Sequence, residues 1–141
     1  MPLIEIEWCA GESCQAKNSI RQGVKNGIGA LMGVDPDFVA VSFHDLPELQ
    51  TKTQTAIVFV YITEGRPVLF KEKIVTVITE NIVSYTAYRS DGVVVLIYDL
   101  SLGSVAVRGK IVNRNGPAAE SVIKEKAEIS FSERKQECPC Q

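Results

Sequence analysis

This 141-residue chain is poor in several residue types, and each shortage excludes something. His44 is the only histidine, and no serine or cysteine nucleophile stands with a plausible base. Basic and acidic residues nearly cancel, 15 against 17, for a formal charge of −2. That balance leaves no electrostatic footprint for nucleic acid or an anionic membrane. No apolar run approaches the roughly 20 residues that span a bilayer. Met1-Pro2-Leu3-Ile4-Glu5-Ile6-Glu7 has neither the basic start nor the long apolar stretch of a signal peptide. A soluble, cytoplasmic protein is the expectation. Four cysteines, Cys9, Cys14, Cys138 and Cys140, have spacings unlike those of a zinc site. No metal is expected, and the thiols read as reduced.

What the chain does have is apolar mass, 45% hydrophobic residues against 23% charged. That suffices for a core without staples, in one domain or in two small units sharing one core.

An internal repeat organises this mass. Sliding the sequence by 54 residues superposes positions 2–46 on 56–100 without a gap. The identical pairs are Gly11/Gly65, Lys17/Lys71, Ile20/Ile74, Ile28/Ile82, Asp37/Asp91, Val39/Val93, Val41/Val95, Asp45/Asp99 and Leu46/Leu100. Each half reads as strand, glycine turn, helix, strand. First strands are Leu3–Cys9 and Ile57–Ile62, rich in β-branched and aromatic residues. Ala10-Gly11-Glu12 and Glu64-Gly65-Arg66 are the turns. Helices follow over about 14–32 and 67–86, the second with Pro67 in its first turn and a stripe of Val68, Lys71, Val75, Ile78 and Ile82. Asp35-Pro36-Asp37 and Arg89-Ser90-Asp91-Gly92 end them, and Phe38–Phe43 and Val93–Tyr98 are the second strands.

Each strand–helix–strand unit implies a parallel pair with a right-handed crossover. The expected fold is therefore α/β: two tandem β-α-β repeats (2–55 and 56–112) form a four-stranded sheet with two helices on one face. A short hairpin and a tail (113–141) complete the single domain 1–141. Helix-compatible composition over 118–129 and a charged, frayed end over 132–141 are expected there. Two helices cover one face only, yet Ile57–Val60 and Val93–Ile97 are apolar on both sides, as in strands buried on both faces. The open face predicts a homo-oligomer.

The copies differ at their ends. Pro2 stands where the second copy has Ala56, and Glu12 where it has Arg66. If the first strands lie side by side and antiparallel, Pro2 meets Arg66 while Ala56 meets Glu12. Removal of Met1, expected before so small a residue, leaves Pro2 a free secondary amine. Such an amine serves as a base near neutral pH once burial and a nearby cation lower its pKa. An arginine at roughly 6 Å and an effective dielectric of about 20 contributes about 3 kcal/mol, or about two pKa units. Arg66 also suits a substrate carboxylate through a bidentate pair.

Pro2-Leu3-Ile4-Glu5-Ile6 and Glu64-Gly65-Arg66, set in this repeat, resemble the opening strand and the arginine-bearing turn of the tautomerase superfamily, over about residues 2–112. The resemblance is greatest to its long fused-chain branch, which includes cis-3-chloroacrylic acid dehalogenase and malonate semialdehyde decarboxylase. It implies a cofactor-independent homotrimer acting on a small enol or 2-keto acid, with Pro2 catalytic and Arg66 and Lys110 binding the carboxylate. Dehalogenation is not implied, since Ile28, Thr63, Leu96 and Val107 occupy positions that it would fill with functional residues. A decarboxylase would need Asp37, but Asp91 repeats it, and a shared turn role explains both. A tautomerase-fold trimer without catalysis is the alternative from another class. Asp45 and Asp99 read as turn caps, His44 and Tyr98 as strand-end packing, and Trp8 as core or interface. Gly27-Ile28-Gly29 is too short for a phosphate loop.

Overall fold

A computed structural model of the protein describes residues 2–9, 12–47, 55–107 and 109–111. The chain divides into two compact units, Met1–Leu100 and Ser101–Gln141.

The first unit holds the repeat. Strand β1 (Leu3–Trp8) leads to helix α1 (Cys14–Met32), a 3-10 turn at Pro36–Phe38, and strand β2 (Ala40–Asp45). The second copy gives β3 (Ala56–Thr63), α2 (Val68–Tyr85), a 3-10 turn at Ser90–Gly92 and β4 (Val93–Leu100). Strand order is β2-β1-β3-β4. The outer pairs are parallel and the central pair, β1 with β3, is antiparallel. The expected four-stranded sheet is present, with the two copies related end to end about its centre.

Alternation in the sequence sets the two faces. Ile4 and Ile6 of β1 lie level with Val60 and Val58 of β3, and these four, with Trp8 and Ala56, are buried under the helices. Ile20, Val24 and Ile28 of α1 and Ile74, Ile78 and Ile82 of α2 complete the core. Each fully buried aliphatic side chain contributes roughly 1.5–3 kcal/mol by leaving water. The stripe of α2 is therefore a run of four-residue steps through Ile74. Val68, assigned to that stripe from sequence, is 70% exposed. Apolar residues occur all round this helix, so its period alone was ambiguous.

Close contact between α1 and α2 depends on two glycines. A methyl group at Gly23 would meet the Asn81 side chain at 1.8 Å, and one at Gly27 would lie 2.5 Å from a Val77 methyl. Strand β2 also starts two residues later than periodicity suggested. Asp35 Oδ1 accepts the Asp37 amide at 2.8 Å, and Pro36 fixes the turn that takes up Phe38.

The identical pairs of the repeat acquire a physical meaning here. Lys17 Nζ is 2.7 Å from Asp45 Oδ2, and Lys71 Nζ is 2.6 Å from Asp99 Oδ2. Each bridge joins the start of a helix to the end of the parallel strand beside it. These aspartates thus hold lysines rather than capping turns. Asp45 also accepts the indole N–H of Trp8 at 2.8 Å, and Trp8 is fully buried between Phe43 and Tyr88. The Lys17 hydrogen bond, opposed by desolvation and aided by Trp8, lowers the Asp45 pKa. A depressed carboxyl pKa contributes stability above its unfolded value and loses it as pH falls through the folded value. Asp45→Asn is expected to cost about 0.5–1 kcal/mol at pH 7, the scale of a half-exposed pair. That difference should vanish in acid below the carboxylate range, measured as urea unfolding curves at the two pH values.

Asp37 pairs with Lys25 at 3.0 Å, and Asp91 lies 3.3 Å from Arg89 Nε. Cys9 is half-buried just past β1.

The sheet face away from the helices is open. Phe59 and Tyr61 of β3 and Val94, Leu96 and Tyr98 of β4 form its apolar half, the last three 42–44% exposed. Tyr98 stacks on Phe59 and on Tyr61 at 6.3 and 5.1 Å between ring centroids. Glu5, Glu7, Ser42 and His44 form the other half. Desolvation, then the charge of Glu5, raises the Tyr61 pKa. His44 is exposed, with Nε2 3.3 Å from Ser42 Oγ, and does not pack at the strand end.

In the second unit, Leu102–Ser104 form a 3-10 turn, and β5 (Ala106–Val107) pairs with β6 (Lys110–Ile111) as the expected short hairpin. The helix-compatible stretch over 118–129 and the tail lie outside the described residues. Among the described residues, no helix is long and apolar enough to cross a membrane, and no group of three or more His, Cys, Asp or Glu could hold a metal.

Candidate active site

Pro2 is buried at the edge of the core. Its carbonyl accepts the Ala40 amide at 3.1 Å, which ties it to the start of β2. On its other side, Leu3 lies opposite Tyr61, so one further step of the antiparallel register sets Pro2 level with Ile62. Val39 and Ile62, both buried, give this corner an apolar character. Burial of this kind disfavours the charged form of a terminal amine.

Arg66 follows the end of β3 by three residues. Its turn is held at both ends. The Glu64 amide donates to the Leu100 carbonyl at 2.9 Å, fixing the turn to the last residue of β4. At the other end the Pro67 carbonyl accepts from the amides of Phe70 and Lys71 at 3.0 and 3.2 Å, starting α2. Between them Gly65 has φ of +96°, with open space where a Cβ would be. Backbone conformation, not crowding, therefore requires glycine there. Arg66 is half-exposed, and its guanidinium lies 4.9 Å from the centre of the Phe70 ring.

The antiparallel pairing of β1 with β3 brings the start of one beside the end of the other. Pro2 and the Arg66 turn accordingly belong to the same end of the sheet, while Ala56 and the strand leading to Glu12 belong to the opposite end. The shared end of the sheet is what the topology establishes for this pair: Pro2 buried, the Arg66 side chain half-exposed. Lys110 belongs to the second unit. It opens β6 in the second unit, is exposed, and lies opposite Val107.

The dehalogenase positions have plain structural roles. Ile28 is fully buried in the core, and Leu96 lies on the open sheet face. The contact of Phe70 with Arg66 was not apparent from hydropathy, because Phe70 continues the α2 stripe one four-residue step before Ile74 and packs against the core. The fixed four-residue spacing from Arg66 to Phe70 was the available signal.

No protein-family model and no curated protein matches the chain in sequence. Solved structures do match in fold. One is a fused 4-oxalocrotonate tautomerase described as an asymmetric trimer, with TM-score 0.71 and 19% identity, covering 78% of this chain and 95% of that one. Another is Pt0534 inactivated by 2-oxo-3-pentynoate, with TM-score 0.70 and 19% identity, covering 78% and 94%. Macrophage migration inhibitory factor of Toxoplasma gondii matches with TM-score 0.69 and 10% identity, covering 77% and 98%. Strand order, the end-to-end arrangement of the two β-α-β units and these likenesses agree: the chain has the fold of the tautomerase superfamily.

Proposed function

We propose that the protein is a cofactor-independent tautomerase of small enol or 2-keto carboxylic acids. Pro2, freed by loss of Met1, takes a proton from the enol oxygen or the α-carbon and returns it to the other atom. Arg66 binds the carboxylate and stabilises the charge that develops on the dienolate or enolate oxygen. Lys110 is a second cation for the carboxylate. The observation that supports this reading is that antiparallel pairing of β1 with β3 puts the buried Pro2 and the Arg66 turn at the same end of the sheet, whereas their counterparts in the repeat, Ala56 and Glu12, belong to the other end. The inactivation of a fold relative, Pt0534, by an acetylenic 2-keto acid supports it, since such a reagent traps a nucleophilic amine.

A homotrimer in the cytoplasm belongs to the same proposal. The apolar half of the open face supports assembly, and several fold relatives are described as trimers.

The test is ketonisation of phenylenolpyruvate, an enol acid whose conjugated absorbance disappears as the ketone forms. Arg66→Ala should lower kcat/KM by about 10- to 100-fold, the loss of one charge-assisted hydrogen-bonding group. Unchanged kcat/KM removes Arg66 from the mechanism.

A further inference from the structure

We propose that Phe70 is a positioning residue for Arg66: its ring is a platform that holds the guanidinium with its edge turned to the carboxylate. This rests on the reading of Arg66 as the carboxylate-binding cation. Three observations carry it. The guanidinium carbon lies 4.9 Å from the ring centre, within the range of a cation–π contact. Phe70 is not a loose surface ring, because it packs against the buried core cluster. A cation resting on it gains a fixed reference.

The third observation comes from comparing the two copies. Shifted by 54 residues, Arg66, Pro67 and Phe70 fall on Glu12, Ser13 and Ala16. In the first copy the turn is organised for helix stability: Ser13 Oγ accepts the Ala16 amide at 3.1 Å and caps α1. In the second copy Pro67 takes the cap position and no side chain caps α2. The side-chain cap that stabilises α1 is missing from the copy that carries the cation. Where the cation is replaced by Glu12, the aromatic ring is replaced by a methyl. Cation and platform have changed together, on one copy, within one turn of helix. A guanidinium on a long side chain samples many rotamers, and fixing it beforehand reduces the entropy lost when it binds a planar carboxylate.

The experiment is an NMR titration of the protein, with loss of Met1 verified by mass, using phenylpyruvate as the carboxylate probe. Binding is read separately from turnover, and the Arg66 Nε–H resonance reports ring stacking. Phe70→Leu should weaken phenylpyruvate binding about 2- to 5-fold, the size of an exposed cation–π contact. The same change should remove the ring-current shift of the Arg66 resonance. Phe70→Tyr, which keeps the π face, should restore both to within about twofold. Arg66→Ala should weaken binding at least about tenfold. If Arg66→Ala weakens binding but Phe70→Leu does not, the platform is wrong and the carboxylate reading stands. If Phe70→Tyr is as weak as Phe70→Leu, Phe70 acts by packing alone and the proposal fails. If Arg66→Ala binds like the unmodified protein, or that protein binds no phenylpyruvate, the reading of Arg66 itself is overturned and the platform with it.

Discussion

Blocking the nitrogen of Pro2 should abolish ketonisation of phenylenolpyruvate. When Met1 is retained, that nitrogen is a tertiary amide with no basic lone pair and no proton to exchange. His44 is exposed at the end of β2, and Glu12 belongs to the opposite end of the sheet from Pro2. Positioned general bases contribute about 10²- to 10⁴-fold, so a preparation with Met1 retained should be at least about 100-fold slower. The comparison is clean, because the two preparations differ in sequence only by the methionine ahead of Pro2. Rates measured on the two preparations, separated by intact mass, give the ratio. Equal rates would mean that Pro2 is not the base.

The second large effect concerns assembly. Val94, Leu96 and Tyr98 expose more than two-fifths of their surface on a face that no described element of the first unit covers. Phe59 and Tyr61 extend this patch across β3. In a trimer that buries it, Leu96→Glu would place an unpaired carboxylate in an apolar contact, at a cost of several kcal/mol at each interface. The variant should behave as a monomer by light scattering at micromolar concentration, while the unmodified chain behaves as a trimer. Leu96 is absent from the buried core, so the monomer should retain its helical circular dichroism. A monomeric unmodified chain would contradict the reading of the open face.

Much of this architecture was legible because the repeat doubled each signal. A single glycine turn is weak evidence, but Gly11 and Gly65 mark the same junction twice. Lys17/Lys71 and Asp45/Asp99 were visible as identities, yet their meaning was not. Each lysine and its aspartate lie 28 residues apart in sequence and meet only when the helix packs back on its sheet. The end-to-end relation of Pro2 and Arg66 followed from antiparallel pairing of the two copies, a topological choice that alternation alone does not make. The α2 stripe was less legible. With Val68, Leu69, Phe70, Ile74, Val75, Val77 and Ile78 all apolar, several helical faces fit, and tertiary packing selects the one through Ile74. Phe70 was hidden for the same reason. The stripe read from sequence omits it, and in the structure it both packs against the core and meets the guanidinium on the turn before the helix.

Incubation with 2-oxo-3-pentynoate, followed by intact mass and peptide mapping, tests the role of Pro2 most directly. Pro2 as a nucleophilic secondary amine predicts one adduct per chain, on the Pro2 nitrogen, with activity lost in step. It also predicts slower labelling of Arg66→Ala and no labelling of the Met1-retained form. Loss of activity with the adduct on Cys9 or on a lysine, and an unmodified Pro2, would contradict the account.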